Sequence, residues 1–120
     1  MITAAGPFLM FTGRCEEALT FYVEVIPAAR IVSLDKKPDG TVALARLAIA
    51  GLDILANDSP PVHDFDFTPS TSTFLTVDLA DDVDALAARL GESGKMLMPP
   101  GDYGFSRRFA WVQDRFGVSW

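Results

Sequence analysis

The chain repeats itself. A short apolar segment, an amphipathic helical stretch and further strand-like segments run from Pro7 to Asp58, and they recur in the same order from Ser72 to Trp120. In the first copy Phe8, Leu9, Met10, Phe11 and Thr12 lead into the helical pattern; in the second, Thr73, Phe74, Leu75, Thr76 and Val77 do so. Gly51 precedes the apolar run Leu52 to Ala56 and Gly117 precedes Val118, Ser119 and Trp120, an offset of 66 residues (117 − 51) in a chain of 120. A duplication of this kind restricts the fold to two like modules whose sheets can curve around one cavity.

Each module reads as βαβββ. Pro7 to Thr12 is a buried strand ended by Gly13, and from Arg14 to Ile26 the residues Ala18, Leu19, Tyr22, Val25 and Ile26 recur at spacings of three and four, with Glu16 and Glu17 in the first turn. Pro27 stops that helix. Ala29 to Leu34 and Thr41 to Ala50 flank the turn residues Lys37, Pro38, Asp39 and Gly40 and form a hairpin. Residues 59–70 hold Pro60, Pro61 and Pro69 and form the connector, with the first module at about 1–58 and the second at about 71–120 of one domain. In the second module Ser72 to Val77 is a strand. Asp78, Asp81, Asp82 and Asp84 load a helix start, and Val83, Leu86, Ala87 and Leu90 are its buried stripe. Lys95 to Met98 is an edge strand broken by Pro99 and Pro100, followed by strands at Phe105 to Gln113 and Val118 to Trp120.

Composition narrows the function. Hydrophobic residues at 49% and charged residues at 22% belong to a folded globular chain, and 120 residues bury enough surface to need no staples. A formal charge of −6 without a basic run argues against nucleic acid and anionic membrane as partners, leaving small molecules. One cysteine, no secretion signal and no apolar run of about 18 residues make the cytoplasm the expected compartment.

The motifs resemble the vicinal oxygen chelate superfamily (glyoxalase, bleomycin-resistance and extradiol dioxygenase proteins), and within it the PhnB-like group, often labelled a 3-demethylubiquinone-9 3-methyltransferase domain. The residues that carry the resemblance are Phe8 to Phe11, Gly13 to Ala18, Phe21-Tyr22, Asp102 to Ser106, Trp111 and Asp114 to Trp120, spanning nearly the whole chain. The resemblance implies an α+β fold of paired βαβββ modules with a mixed curved sheet around a cavity, and a homodimer. It does not carry the methyltransferase activity with it: a methyltransferase using S-adenosylmethionine would show a glycine-rich turn between a strand and a helix, and the nine glycines here form no such cluster.

Enzymes of this superfamily hold a divalent metal with four side chains. Aligned here, those positions fall at Pro7, at Ser72, on the third strand between Val42 and Ala50 where Arg46 is the charged residue, and just past Trp120. Proline has no donor, serine is a poor ligand and arginine is a cation, so no metal and no other cofactor are expected. The function implied is binding of a small, partly apolar molecule. The same alignment turns Leu9 and Phe11 of the first module and Ser72 and Phe74 of the second toward the cavity. Trp111 joins them, and one of Arg107 and Arg108 faces inward because strand neighbours alternate sides.

The alternative is a metal-dependent lyase, isomerase or dioxygenase built on His63 with Asp64 or Asp66. A proline-rich connector suits a solvated histidine better. Cys15 at a helix start is a candidate thiolate, though such cysteines are more often packing residues, and Asp81, Asp82 and Asp84 are explained by helix initiation.

Overall fold

The computed structural model describes all residues from Met1 to Trp120. They form two compact units, Met1–His63 and Asp64–Trp120.

The first unit is a βαβββ module. Strands β1 (Phe8–Phe11), β2 (Ala29–Lys36), β3 (Val42–Ile49) and β4 (Leu52–Asp58) form one sheet in the order β1-β4-β3-β2, and helix α1 spans Cys15–Val25. β1 runs parallel to β4 and the other neighbours are antiparallel. Period-two alternation sends Leu47 and Ile49 of β3 and Ile54 and Ala56 of β4 to one buried face. Ala18, Leu19, Tyr22 and Val25, spaced three or four apart, bury the matching stripe of α1. Val42 and Ala45 are both buried although three apart, because a register shift between Asp35 and Lys36 inserts an extra residue between their ladder positions. The opposite face of the sheet is open, with Phe8 and Leu44 half exposed and Arg46 paired to Asp53 at 3.6 Å.

One buried carboxylate ties this unit together. Asp58, at the end of β4, accepts the amides of Gly13 at 2.8 Å and Cys15 at 3.0 Å on Oδ1 and that of Val42 at 2.9 Å on Oδ2. It therefore caps α1 from another strand, where negative charge is favoured. Gly13 reaches this geometry with φ of 122°, a value that suits glycine.

The second unit contains α2 (Ala80–Leu90) and an antiparallel pair, β5 (Lys95–Gly101) and β6 (Phe109–Gln113). Asp81 and Asp82 occupy the first turn of α2 and Arg89 the last, each matching the helix dipole. Val118 to Trp120 return alongside β6: Val112 and Trp120 exchange backbone bonds of 3.0 and 2.8 Å. The Asp114 carboxylate organises the intervening turn, accepting Phe116 N, Val118 N and Trp120 Nε1 at 2.8, 3.0 and 2.9 Å.

Three expectations change here. Ser72 to Val77, expected as a strand, joins no ladder; its single backbone contact with the sheet is Thr73 N to Ser119 O at 3.2 Å. β5 does not break at Pro99 and Pro100 but continues to Gly101, because register shifts around Met98 leave the two prolines without a ladder partner. β6 starts at Phe109 rather than Phe105, since residues 102–108 form a loop fastened by Tyr103 Oη to Pro99 O at 2.6 Å and Gly104 N to Asp102 Oδ1 at 2.9 Å.

Candidate functional site

The second unit forms a half-open cavity of about 300 Å³. Val83, Leu86 and Leu90 of α2 line one side, Ser72 to Val77 a second and Arg108 to Val112 a third, with Trp120 also in the lining. The α2 residues are the apolar stripe of an amphipathic helix, with Ala87 and Leu90 buried. Polar groups are few. Ser72, Thr73, Thr76, Ser106 and Arg108 are the polar residues of a mainly apolar lining.

Ser72, Ser106 and Arg108 are held in place by hydrogen bonds. The Trp111 indole N–H lies 2.7 Å from Ser119 Oγ and 3.1 Å from Ser72 Oγ, and the two serine hydroxyls bond each other. Arg108 grips Asp84 of α2 through both carboxylate oxygens, Nε to Oδ1 at 2.8 Å and Nη2 to Oδ2 at 2.9 Å. That bidentate contact lowers the Asp84 pKa and raises that of Arg108, so the pair stays charged. Beside it, Phe109 is the hub of an aromatic group, its ring centroid 4.8 Å from Phe105 edge-on, 6.0 Å from Tyr103 edge-on and 6.2 Å from Phe74. Phe74 is 77% and Phe105 66% exposed, an unusual amount of apolar ring left to water.

Of the residues expected at a ligand site, Ser72, Phe74, Arg108 and Trp111 line this one cavity. Arg107 does not: it sits in the bend before β6, exposed, where strand alternation does not apply. Leu9 and Phe11 need correcting. Their ladder partners are Ala56 and Asp58, which puts both on the face covered by α1, and Phe11 is only 3% exposed. Phe8 and Met10 take the open face instead, so the parity taken from the alignment was wrong by one residue.

The other candidates lie outside this cavity. Cys15 is fully buried and its pKa is pushed up to about 12, chiefly by burial and then by the Asp58 and Glu16 charges, so the thiolate is suppressed. His63 is exposed at the end of the first unit, and no three His, Cys, Asp or Glu side chains converge anywhere. Of the positions the alignment assigned to a metal, Pro7 shares the parity of Leu9 and Phe11 and is displaced with them, while Ser72 and Arg46 do not suit a cation. Pro7 offers only a carbonyl, already accepting Leu55 N at 3.0 Å, Ser72 is engaged by Trp111 and Ser119, and Arg46 is paired with Asp53. Sequence reasoning missed Ser119 and Asp84. The sequence carried no signal for Ser119: the 66-residue offset places it on Asp53, whereas its backbone bond to Thr73 gives it the place that Leu55 has in the first module.

A family model described as 3-demethylubiquinone-9 3-methyltransferase matches residues 3–120. The chain belongs to this family, the PhnB-like group of the vicinal oxygen chelate superfamily. It is similar to a putative 3-demethylubiquinone-9 3-methyltransferase, PhnB protein, from Bacillus cereus, with 35% identity and a TM-score of 0.91 over 98% of this chain and 96% of that one. It also resembles protein PA1353 from Pseudomonas aeruginosa at 26% identity, with a TM-score of 0.82 over 99% and 95% of the two chains. Protein YjdN of Escherichia coli (strain K12) is 24% identical over 96% of this chain and 90% of its own length. The α+β glyoxalase-like fold is common to this chain and its solved relatives.

Proposed function

We propose that this PhnB-like protein binds a small, partly apolar molecule without a metal ion, and does so as a cytoplasmic homodimer. The observation that carries this reading is the cavity of about 300 Å³ in the second unit, at the lower end of the range of ligand pockets, with apolar walls and a few fixed polar groups. Trp111 and Phe109 supply flat apolar surface, Ser72 a hydroxyl and Arg108 a cation for a ligand carboxylate or carbonyl. Ser72 and Arg46, at positions the alignment assigned to a metal, are the wrong kind of side chain for Lewis-acid chemistry, which favours sequestration over catalysis. The methyltransferase activity in the family's description is not part of this reading, since no glycine-rich turn joins a strand to a helix in the sequence.

The test is a screen of aromatic acids, amides and alcohols followed by tryptophan emission, because Trp111 and Trp120 both line the cavity. Saturable one-to-one quenching with micromolar affinity, abolished by Trp111→Ala, is the expected result. Emission unchanged across the whole panel would remove the proposal.

A further inference from the structure

The protons around Trp111 can be counted, and one of them is left over. Trp111 Nε1 carries a single N–H, which lies 2.7 Å from Ser119 Oγ and 3.1 Å from Ser72 Oγ and is shared between the two. The serine hydroxyls also bond each other. A hydroxyl has one proton and two lone pairs, so only one of the two serine protons lies in the contact between them.

Burial decides which one it is. Ser119 is 2% exposed, and its hydroxyl bonds to Trp111 and Ser72 alone. The indole nitrogen is a donor without an accepting lone pair, so Ser72 Oγ is the acceptor that the Ser119 proton reaches. The reverse direction, with Ser72 donating to Ser119, would leave a buried proton without an acceptor, an arrangement that folded proteins avoid. Donation therefore converges on Ser72 Oγ, whose two lone pairs are taken by the Ser119 hydroxyl and by the longer arm of the indole N–H. Ser72 itself is exposed and lines the cavity, and its own proton has no acceptor in the chain. Each bond in such a series polarises the next and strengthens the last donor.

We infer that Ser72 is a one-way donor, and that the cavity selects flat aromatic molecules bearing an oxygen that carries no proton: a carbonyl, a carboxylate or an N-oxide. Ser119 acts through Ser72 as a positioning residue, because its buried proton closes Ser72 to ligand donors. A phenol of the same framework brings a strong donor that Ser72 cannot accept, and its oxygen is a weak acceptor. This assignment rests on the proposed small-molecule binding and narrows its ligand class. Phe74 and Phe109, in the same lining, supply the apolar surface for the ring.

The probes are quinoline N-oxide and 1-naphthol, which share one bicyclic framework and place their oxygen at the same position, with and without a proton. Calorimetric titrations give both Kd values in the native chain, in Ser72→Ala and in Ser119→Ala. The two compounds differ in hydration, so the quantity read is how each variant changes the ratio of the two Kd values. Ser72→Ala is expected to weaken the N-oxide about tenfold and to leave the naphthol within about twofold. Ser119→Ala reopens a lone pair on Ser72, and the naphthol is expected to tighten about threefold or more while the N-oxide does not gain. Equal losses for both probes in Ser72→Ala would overturn the one-way donor, and proportional losses for both in Ser119→Ala would reduce Ser119 to a packing role and overturn its part. Quenching by other aromatic compounds with no binding of the N-oxide would overturn the inference and leave the proposed function standing. A chain that binds no compound of either set would remove the proposed function, and this assignment with it.

Discussion

Asp58 Oδ1 accepts the backbone amide of Cys15 at 3.0 Å, so the first turn of α1 is held by a carboxylate 43 residues away in sequence. Asp58 is 4% exposed and also accepts Gly13 N and Val42 N, which makes one side chain the joint between helix, β3 and β4. Asp58→Ala leaves three amides without their acceptor. We expect a loss of about 3 kcal/mol or more, because buried donors without partners cost about 1–3 kcal/mol each and relaxation recovers part of that. Urea unfolding followed by circular dichroism measures it.

Burial first, and the Asp58 charge second, govern the Cys15 thiol. With its pKa raised from 9.0 to about 12, the folded chain keeps the thiol proton where the unfolded chain has lost it. The contribution of this group is therefore fully present below pH 9 and is lost as pH rises toward 12, with a slope of at most about 1.4 kcal/mol per pH unit. Stability measured between pH 8 and about pH 11 should fall more steeply in the native chain than in Cys15→Ala. Thiol-reactive reagents should label Cys15 at the rate of opening of the first unit, and fast labelling in folded protein would contradict its burial.

Arg108 and Asp84 predict a sign for ligand charge. Asp84 occupies two donors of the guanidinium that a ligand carboxylate would use. Asp84→Asn should strengthen binding of an aromatic acid several-fold while leaving its neutral amide unchanged, and Arg108→Ala should weaken the acid about tenfold, or about 1.4 kcal/mol. Competition titrations of an acid and its amide against the three proteins give the comparison.

Trp111 is tied to Ser72 and Ser119 by its indole N–H, so its orientation depends on hydroxyls as well as packing. Trp111→Phe keeps an aromatic wall and loses the bonds. The expected outcome is a ligand affinity reduced several-fold, between the native value and that of Trp111→Ala, with far-ultraviolet circular dichroism unchanged in both variants.

Much of this was legible in the residues. The helices follow from apolar spacing, and both fall within a residue or two of the expected ends, at Cys15–Val25 and Ala80–Leu90. The repeat gave the βαβββ order of the first unit. Three features were not legible, for separate reasons. Leu9 and Phe11 lie in a run that is apolar on both sides, so alternation could not show which residues face α1. Ser72 to Val77 has the composition of a strand, but a strand is defined by its neighbours, and the segment meets one backbone partner. The pairing of Arg108 with Asp84 joins residues 24 apart on different elements, and no local pattern announces such a contact.

The central claim is that the cavity in the second unit binds its ligand without a metal ion. The most direct measurement is a calorimetric titration of one aromatic ligand from the screen into protein treated with chelator, repeated after stoichiometric addition of Zn, Ni, Mn or Fe in the divalent state. We expect the same micromolar Kd and one-to-one stoichiometry in every titration, with all heat of binding lost in Trp111→Ala. Binding that is absent after chelation and restored by one equivalent of metal would contradict the account.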